Sequence, residues 1–183
     1  MNEDDAKFLD TFAAWLRGLG HDVGQIGEIV TVAELAEPAR RALVGSLNYL
    51  FKSLDLIPDG IDDIGYLDDA FVLRCACDQA LREDLSALAP ESLRDLNRLA
   101  EDAELIRSFL GEDFARLNDY VTGLRKGAAR GRSVDDILAD EGTQADFVSD
   151  INGFSRAFEA PRFSREEKNL IKLRAFFDAK LPK

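Results

Sequence analysis

Six aspartates fall between Asp55 and Asp69, in the run D-L-I-P-D-G-I-D-D-I-G-Y-L-D-D, and no basic residue interrupts them. Leu56, Ile57, Pro58, Ile61, Ile64 and Leu67 are interleaved with them, and apolar neighbours that seek burial oblige the carboxylates to find partners. Two kinds of chemistry would satisfy them. In the first, the aspartates accept hydrogen bonds from free backbone N–H groups of the turn, with Asp55 capping the end of one helix. Asp59 and Asp62 or Asp63 would serve the turn itself, and Asp68 and Asp69 would lie in the first turn of the next helix, where the dipole favours anions. Arg40, Arg41 or Arg74 would then offset part of the charge. In the second, Asp55, Asp59, Asp68 and Asp69 converge on Mg²⁺, Mn²⁺ or Ca²⁺, hard cations that take several carboxylate oxygens. Two like charges about 4 Å apart cost about 4 kcal/mol at an effective dielectric of 20, which favours a captured ion. The spacing is not that of an EF-hand loop, because Ile57 stands where a second ligand is required and no glutamate closes the loop. No H-E-x-x-H or soft ligand set is present to hold zinc.

The elements that must position these residues form a helical hairpin over residues 37–82. Pro38 suits a first helical turn, and Leu43, Leu47, Leu50, Phe51 and Leu54 form one apolar face of the first arm. Pro58 turns Ile57 out of helical dihedrals, and Gly60 and Gly65 permit tight turns. The second arm runs from near Gly65 to about Arg82, with Leu67, Phe71 and Cys75 facing inward.

The spacing D-x-I-P-D followed by G-x-x-D-D, carried by Asp55, Ile57, Pro58, Asp59, Ile61, Gly65, Asp68 and Asp69, resembles the signature of the YkvA-like bacterial family, a domain of unknown function (1232). Ser53 and Asp62 stand where that signature has prolines, and Gly60 where it has an aromatic or aliphatic residue. The resemblance covers about residues 37–82 and implies a helical hairpin, which in many relatives is hydrophobic enough to sit at or in a membrane. It supplies no catalytic residue, cofactor or activity.

Around this hairpin the pattern is helical throughout. Phe8, Phe12, Trp15 and Leu16 mark a helix over residues 4–18 that Gly18 and Gly20 would end, with Asp22 capping a second helix through Val30. Residues 91–110 and 112–126 read as further helices, with Gly111 as a stop. Ser133 with Asp136, and Ser164 with Glu167, fit capping boxes. Between them Phe147, Ile151, Phe154 and Phe158 recur at helical spacing. The expected architecture is an all-α bundle of about eight helices with no sheet. Residues 1–124 form a helical domain, 125–132 a mobile basic connector (R-K-G-A-A-R-G-R), and 133–183 a C-terminal helical extension packed on the domain.

A net charge of -12 over 183 residues argues against nucleic acid as a partner, since that contact rests on neutralising phosphates with cations. The N-terminus lacks the basic and apolar regions of a secretory signal, and no window approaches a membrane span. Cys75 and Cys77, two residues apart on a helix, diverge too far to bridge. These features suit a reducing cytoplasm. No nucleophile elbow, phosphate-binding glycine loop or zinc motif occurs. The sequence therefore favours a non-enzymatic interaction or assembly module with an unidentified protein partner. A divalent-metal-binding protein or metal-dependent hydrolase using the aspartates is the alternative, and peripheral membrane association a second.

Overall fold

A computed structural model describes residues 3–61 and 63–183. It is all-α apart from one two-residue ladder. The described elements are α1 (Glu3–Ile29), α2 (Glu37–Tyr49), α3 (Leu67–Ala80), α4 (Pro90–Glu101), α5 (Ala103–Leu110), α6 (Asp113–Gly123), a 3-10 turn (Leu124–Lys126), β1 (Ala128–Ala129), β2 (Arg132–Ser133), α7 (Val134–Ala139), α8 (Glu141–Ala157) and α9 (Glu167–Lys180). None of these helices is long and apolar enough to cross a membrane.

The second hairpin arm, α3, is the axis of the bundle. Every residue from Leu67 to Cys77 is buried, because α1, α2, α4, α5 and α6 all pack on it. A helix with apolar residues on every side belongs at such a centre. Phe71 joins an aromatic cluster with Phe12, Trp15, Phe109 and Phe177, at ring separations of 5.0 to 6.1 Å. Cys75 and Cys77 are buried free thiols, and burial pushes the Cys75 thiol up to about 12.

The same helix buries one cation. The Arg74 guanidinium donates from Nη2 to Asp22 Oδ2 at 3.0 Å and from Nε to Asp102 Oδ2 at 2.8 Å, and lies 4.3 Å above the Trp15 ring. Arg98 donates to the other oxygen of Asp22 at 2.7 Å. Asp22 is therefore no cap. It lies inside α1, which runs unbroken where two helices were expected.

Of the two glycines expected to end the first helix, Gly18 stands inside α1 and Gly20 seats α8, as does Gly27 further along. A Cβ on Gly20 would come within 3.0 Å of the Ser155 carbonyl oxygen, and one on Gly27 within 2.6 Å of Ile151. Each glycine costs about 1 kcal/mol of helix propensity, and close packing of α8 along α1 offsets it.

A similar approach occurs on α2. Helix propensity alone would make Gly45→Ala favourable by about 1 kcal/mol. The added Cβ would stand 2.6 Å from the Leu124 carbonyl oxygen and 2.8 Å from its carbon. Because that obstacle is backbone, the substitution is expected to destabilise the protein by about 1–3 kcal/mol. An unchanged or raised denaturation midpoint would contradict the contact.

The basic connector is folded. Its Arg130-Gly131 turn has φ of 50° and 74°, the left-handed pair that closes a two-residue hairpin, and so joins β1 to β2 with Ala128 opposite Ser133. Arg132 stacks 5.1 Å from the Phe147 ring and reaches Asp150 at 2.7 Å. The expected capping box of Ser133 and Asp136 is present, with reciprocal bonds of 3.0 and 2.8 Å. The one at Ser164 is absent, for a reason found in the hairpin joint.

Candidate functional site

The first arm ends earlier than its apolar spacing suggests. After Tyr49 the chain tightens through Leu50, Phe51 and Lys52, then leaves the helix, so Leu54 projects into solvent at 83% exposure instead of extending the apolar face. The Tyr49 hydroxyl supplies the reason. It donates to Asp68 Oδ2 at 2.5 Å and accepts the Leu56 N–H at 2.7 Å, while the Ile57 N–H donates to the same Asp68 oxygen at 3.0 Å. One carboxylate oxygen at the start of α3 thus gathers the L-I-P turn against the end of α2.

The return to α3 is equally constrained. A Cβ on Gly65 would collide with the Asp59 carbonyl, so the close approach of the chain to itself requires glycine there. Gly60 faces open space, and the left-handed positions fall instead on Asp63 (φ 71°) and Tyr66 (φ 65°). Both are held by the C-terminal part of the chain. Asp63 Oδ2 accepts from the Ser164 hydroxyl at 2.8 Å and from Asn169 Nδ2 at 3.4 Å. Tyr66 packs edge-on to Phe158 at 5.2 Å and Phe154 at 6.3 Å. Ser164 is therefore committed to the joint, and α9 starts at Glu167 without a side-chain cap.

Charge repulsion links Asp55, Asp59, Asp68 and Asp69, whereas Asp63 is bonded to Ser164 and Asn169. Asp62 lies outside the described residues. Asp68 is fully buried and Asp69 3% exposed, whereas Asp55 is half-buried and Asp59 reaches the surface. Desolvation first, and then the Asp68 charge, push Asp55 up to about 7. Burial followed by the charges of Asp68, Asp59 and Asp55 drives Asp69 well above the usual carboxylate range. Asp59 is also raised by desolvation, against a hydrogen bond from Tyr66. Asp63 moves the other way, because the Ser164 hydroxyl stabilises its charge.

Only part of the helix-capping expectation describes this site. Asp68 Oδ2 does serve turn N–H groups, but Asp55 Oδ1, Asp68 Oδ1 and Asp69 Oδ1 are buried without a hydrogen-bond donor. The expected arginines do not help. Arg40 donates to the Val32 and Ala33 carbonyls, Arg41 pairs with Glu37 and Asp135, and Arg74 serves Asp22 and Asp102. Lys52 lowers the Asp55 pKa, but as the smallest of the causes acting on it, since its ammonium lies over the Tyr49 and Tyr120 rings and bonds the Tyr120 hydroxyl at 3.1 Å. Among the described residues, no three His, Cys, Asp or Glu side chains are grouped so as to hold a metal ion as they stand.

Asp59 lines a cleft of about 560 Å³ together with Gly60, Ile61, Asp63, Pro161, Arg162, Ser164 and Glu166. Sequence spacing could not show the residues that complete this site from outside the motif, Tyr49 by its hydroxyl and Ser164, Asn169 and Arg162 from the C-terminal part. A phenol at the end of the first arm was the one available signal, since a buried Tyr hydroxyl needs a partner.

No curated protein and no solved structure matches the chain. The match is to a family model and spans residues 39–74, which hold nearly all of α2, the joint and the first turns of α3. Over that segment the chain is similar to the family described as protein of unknown function (DUF1232).

Proposed function

We propose that the protein is a binding module whose hairpin joint takes up a divalent cation through Asp55, Asp59, Asp68 and Asp69. One observation carries this reading: Asp55, Asp68 and Asp69 each keep one carboxylate oxygen buried without a hydrogen-bond donor. A carboxylate kept only to cap a helix has its oxygens bonded. Orphaned oxygens among like charges are costly, and a hard cation removes both costs by accepting several of them at once. Asp68 and Asp69 are fixed on α3, while Asp55 and Asp59 stand on the irregular joint. Because no three of the described acids are grouped to hold an ion as they stand, uptake is a closing step in which the joint brings its two carboxylates to the helix.

The test is thermal unfolding of the full chain, stripped with a chelator and then supplied with Mg²⁺, Mn²⁺ or Ca²⁺. An ion at 100 times its dissociation constant should add about 2.7 kcal/mol, and Asp55→Asn with Asp69→Asn should abolish the gain. If no ion raises the midpoint, or if the double variant responds like the parent, the reading fails.

A further inference from the structure

We infer that the cleft where Lys52 meets α6 binds a small monocarboxylate with an apolar body, the ligand's charge being held by the Lys52 ammonium. This cleft has a volume of about 550 Å³ and none of the joint's aspartates in its lining, and its size falls in the range of small-molecule sites. Lys52 closes the turn that leaves α2, its N–H donating to the Tyr49 carbonyl. Its Nζ stands 5.6 Å from the centre of the Tyr49 ring and 5.4 Å from that of Tyr120, two rings packed edge to face, and donates to the Tyr120 hydroxyl at 3.1 Å. Rings on one side and a hydroxyl bond fix the ammonium on the cleft wall. An ammonium has three N–H donors, and this bond uses one. Among the described residues, no other hydrogen bond and no ion pair reaches it. The cation is positioned without being neutralised.

The other charges on the wall leave this one in surplus. Arg116 is committed to the chain beyond α9: it donates to the carbonyls of Asp178, Leu181 and Pro182 at 2.9, 2.6 and 3.1 Å and pairs with Asp113. Lys183 and Asp119, also on the wall, carry opposite charges that offset one another. A compact ammonium is a point charge without the planar fork that selects phosphate. One surplus cation therefore suits a single negative charge, and Asp119 would repel a polyanion. Leu124 and Pro182 supply apolar surface beside it, which a ligand's hydrocarbon part would cover. Gly123 leaves room for that part, since nothing lies within 4 Å of where a Cβ would stand.

The experiment uses the full chain in chelator, so that it stands or falls separately from the divalent-cation reading. Benzoate and hexanoate are titrated at low ionic strength, with benzyl alcohol and inorganic phosphate as controls, and the backbone amide shifts of ¹⁵N-labelled protein report where each binds. Both carboxylates are expected to shift the Gly123, Leu124 and Gly127 amides saturably, and the controls to bind about tenfold more weakly or less. Lys52→Met keeps most of the apolar stem and removes the charge, so it should weaken benzoate by about tenfold or more, the loss of a charge-assisted hydrogen bond. Gly123→Leu, at a helical φ of -63° that any residue adopts, sets a side chain in the open space and should weaken benzoate by a similar factor. The inference is overturned if neither carboxylate moves those amides or if benzyl alcohol or phosphate binds as well as benzoate. It is equally overturned if either variant, with the parent's amide spectrum otherwise kept, binds benzoate like the parent.

Discussion

Arg74→Ala is expected to cost about 3–5 kcal/mol, the largest loss for any single substitution considered for this chain. The guanidinium is 1% exposed and is shared by Asp22 and Asp102. Its removal leaves Asp22, itself 2% exposed, with only Arg98 to answer its charge, and strips the Trp15 ring of its stacked partner. The charge pair and its burial have to be separated by a second variant. Asp22→Asn combined with Arg74→Met removes the two most buried charges and keeps the volume, leaving the more exposed Asp102 and Arg98, so it should recover part of the loss. Chemical denaturation followed by Trp15 fluorescence measures both. A single Arg74→Ala within about 1 kcal/mol of the parent would show that this network does not hold α1 to α3 and α4.

Asp69→Asn is expected to produce effects of opposite sign with and without a divalent ion. In chelator the amide cannot ionise in a site that disfavours the charged carboxylate, and the protein should gain about 1–3 kcal/mol. With Mg²⁺ or Mn²⁺ present the same variant should lose the increment that the ion gives the parent. A residue serving only the fold would not behave so, because its replacement would destabilise under both conditions. Protons should compete for the same oxygens. Asp55 titrates near 7 in the folded protein and near 3.9 when unfolded, so between these values the folded state binds more protons. Stability of the metal-free protein therefore falls as pH rises from about 4 to about 7, and is flat below that window, where both states are protonated. Asp63, held below its usual range, contributes a loss only at more acid pH. Cation affinity should climb with pH, because uptake releases protons. A metal-free midpoint that rises between about pH 5 and pH 8 would contradict the cluster.

The hairpin and its charge placement were legible in the sequence because both are local. Pro38 opens α2, and Asp68 with Asp69 fall in the first turn of α3, as capping preference and dipole predict. Ser133 and Asp136 form their box because no competitor is near. The failures share a different cause, since a distant group changes the local outcome in each. Gly20 reads as a stop until α8 is laid against it. Ser164 reads as a cap until Asp63, 101 residues away in sequence, takes its hydroxyl. Leu54 reads as core until Tyr49 and Asp68 pull the chain out of the helix, and Arg74 serves Asp22 and Asp102 across the bundle rather than the acids beside it in sequence.

The segment carrying the family match is not a self-sufficient unit. Its Phe71 stacks on Phe177 of α9 and packs at a tilt against Phe12 of α1, its Asp63 and Tyr66 lean on the stretch from Phe154 to Asn169, and Gly45 fits against Leu124. Excised as a peptide or grafted onto a foreign scaffold, residues 39–74 would arrive without the walls that shape them. Chains that share only this stretch must therefore build their own enclosure around the same acidic bend, and the shape of each enclosure would set what reaches the acids.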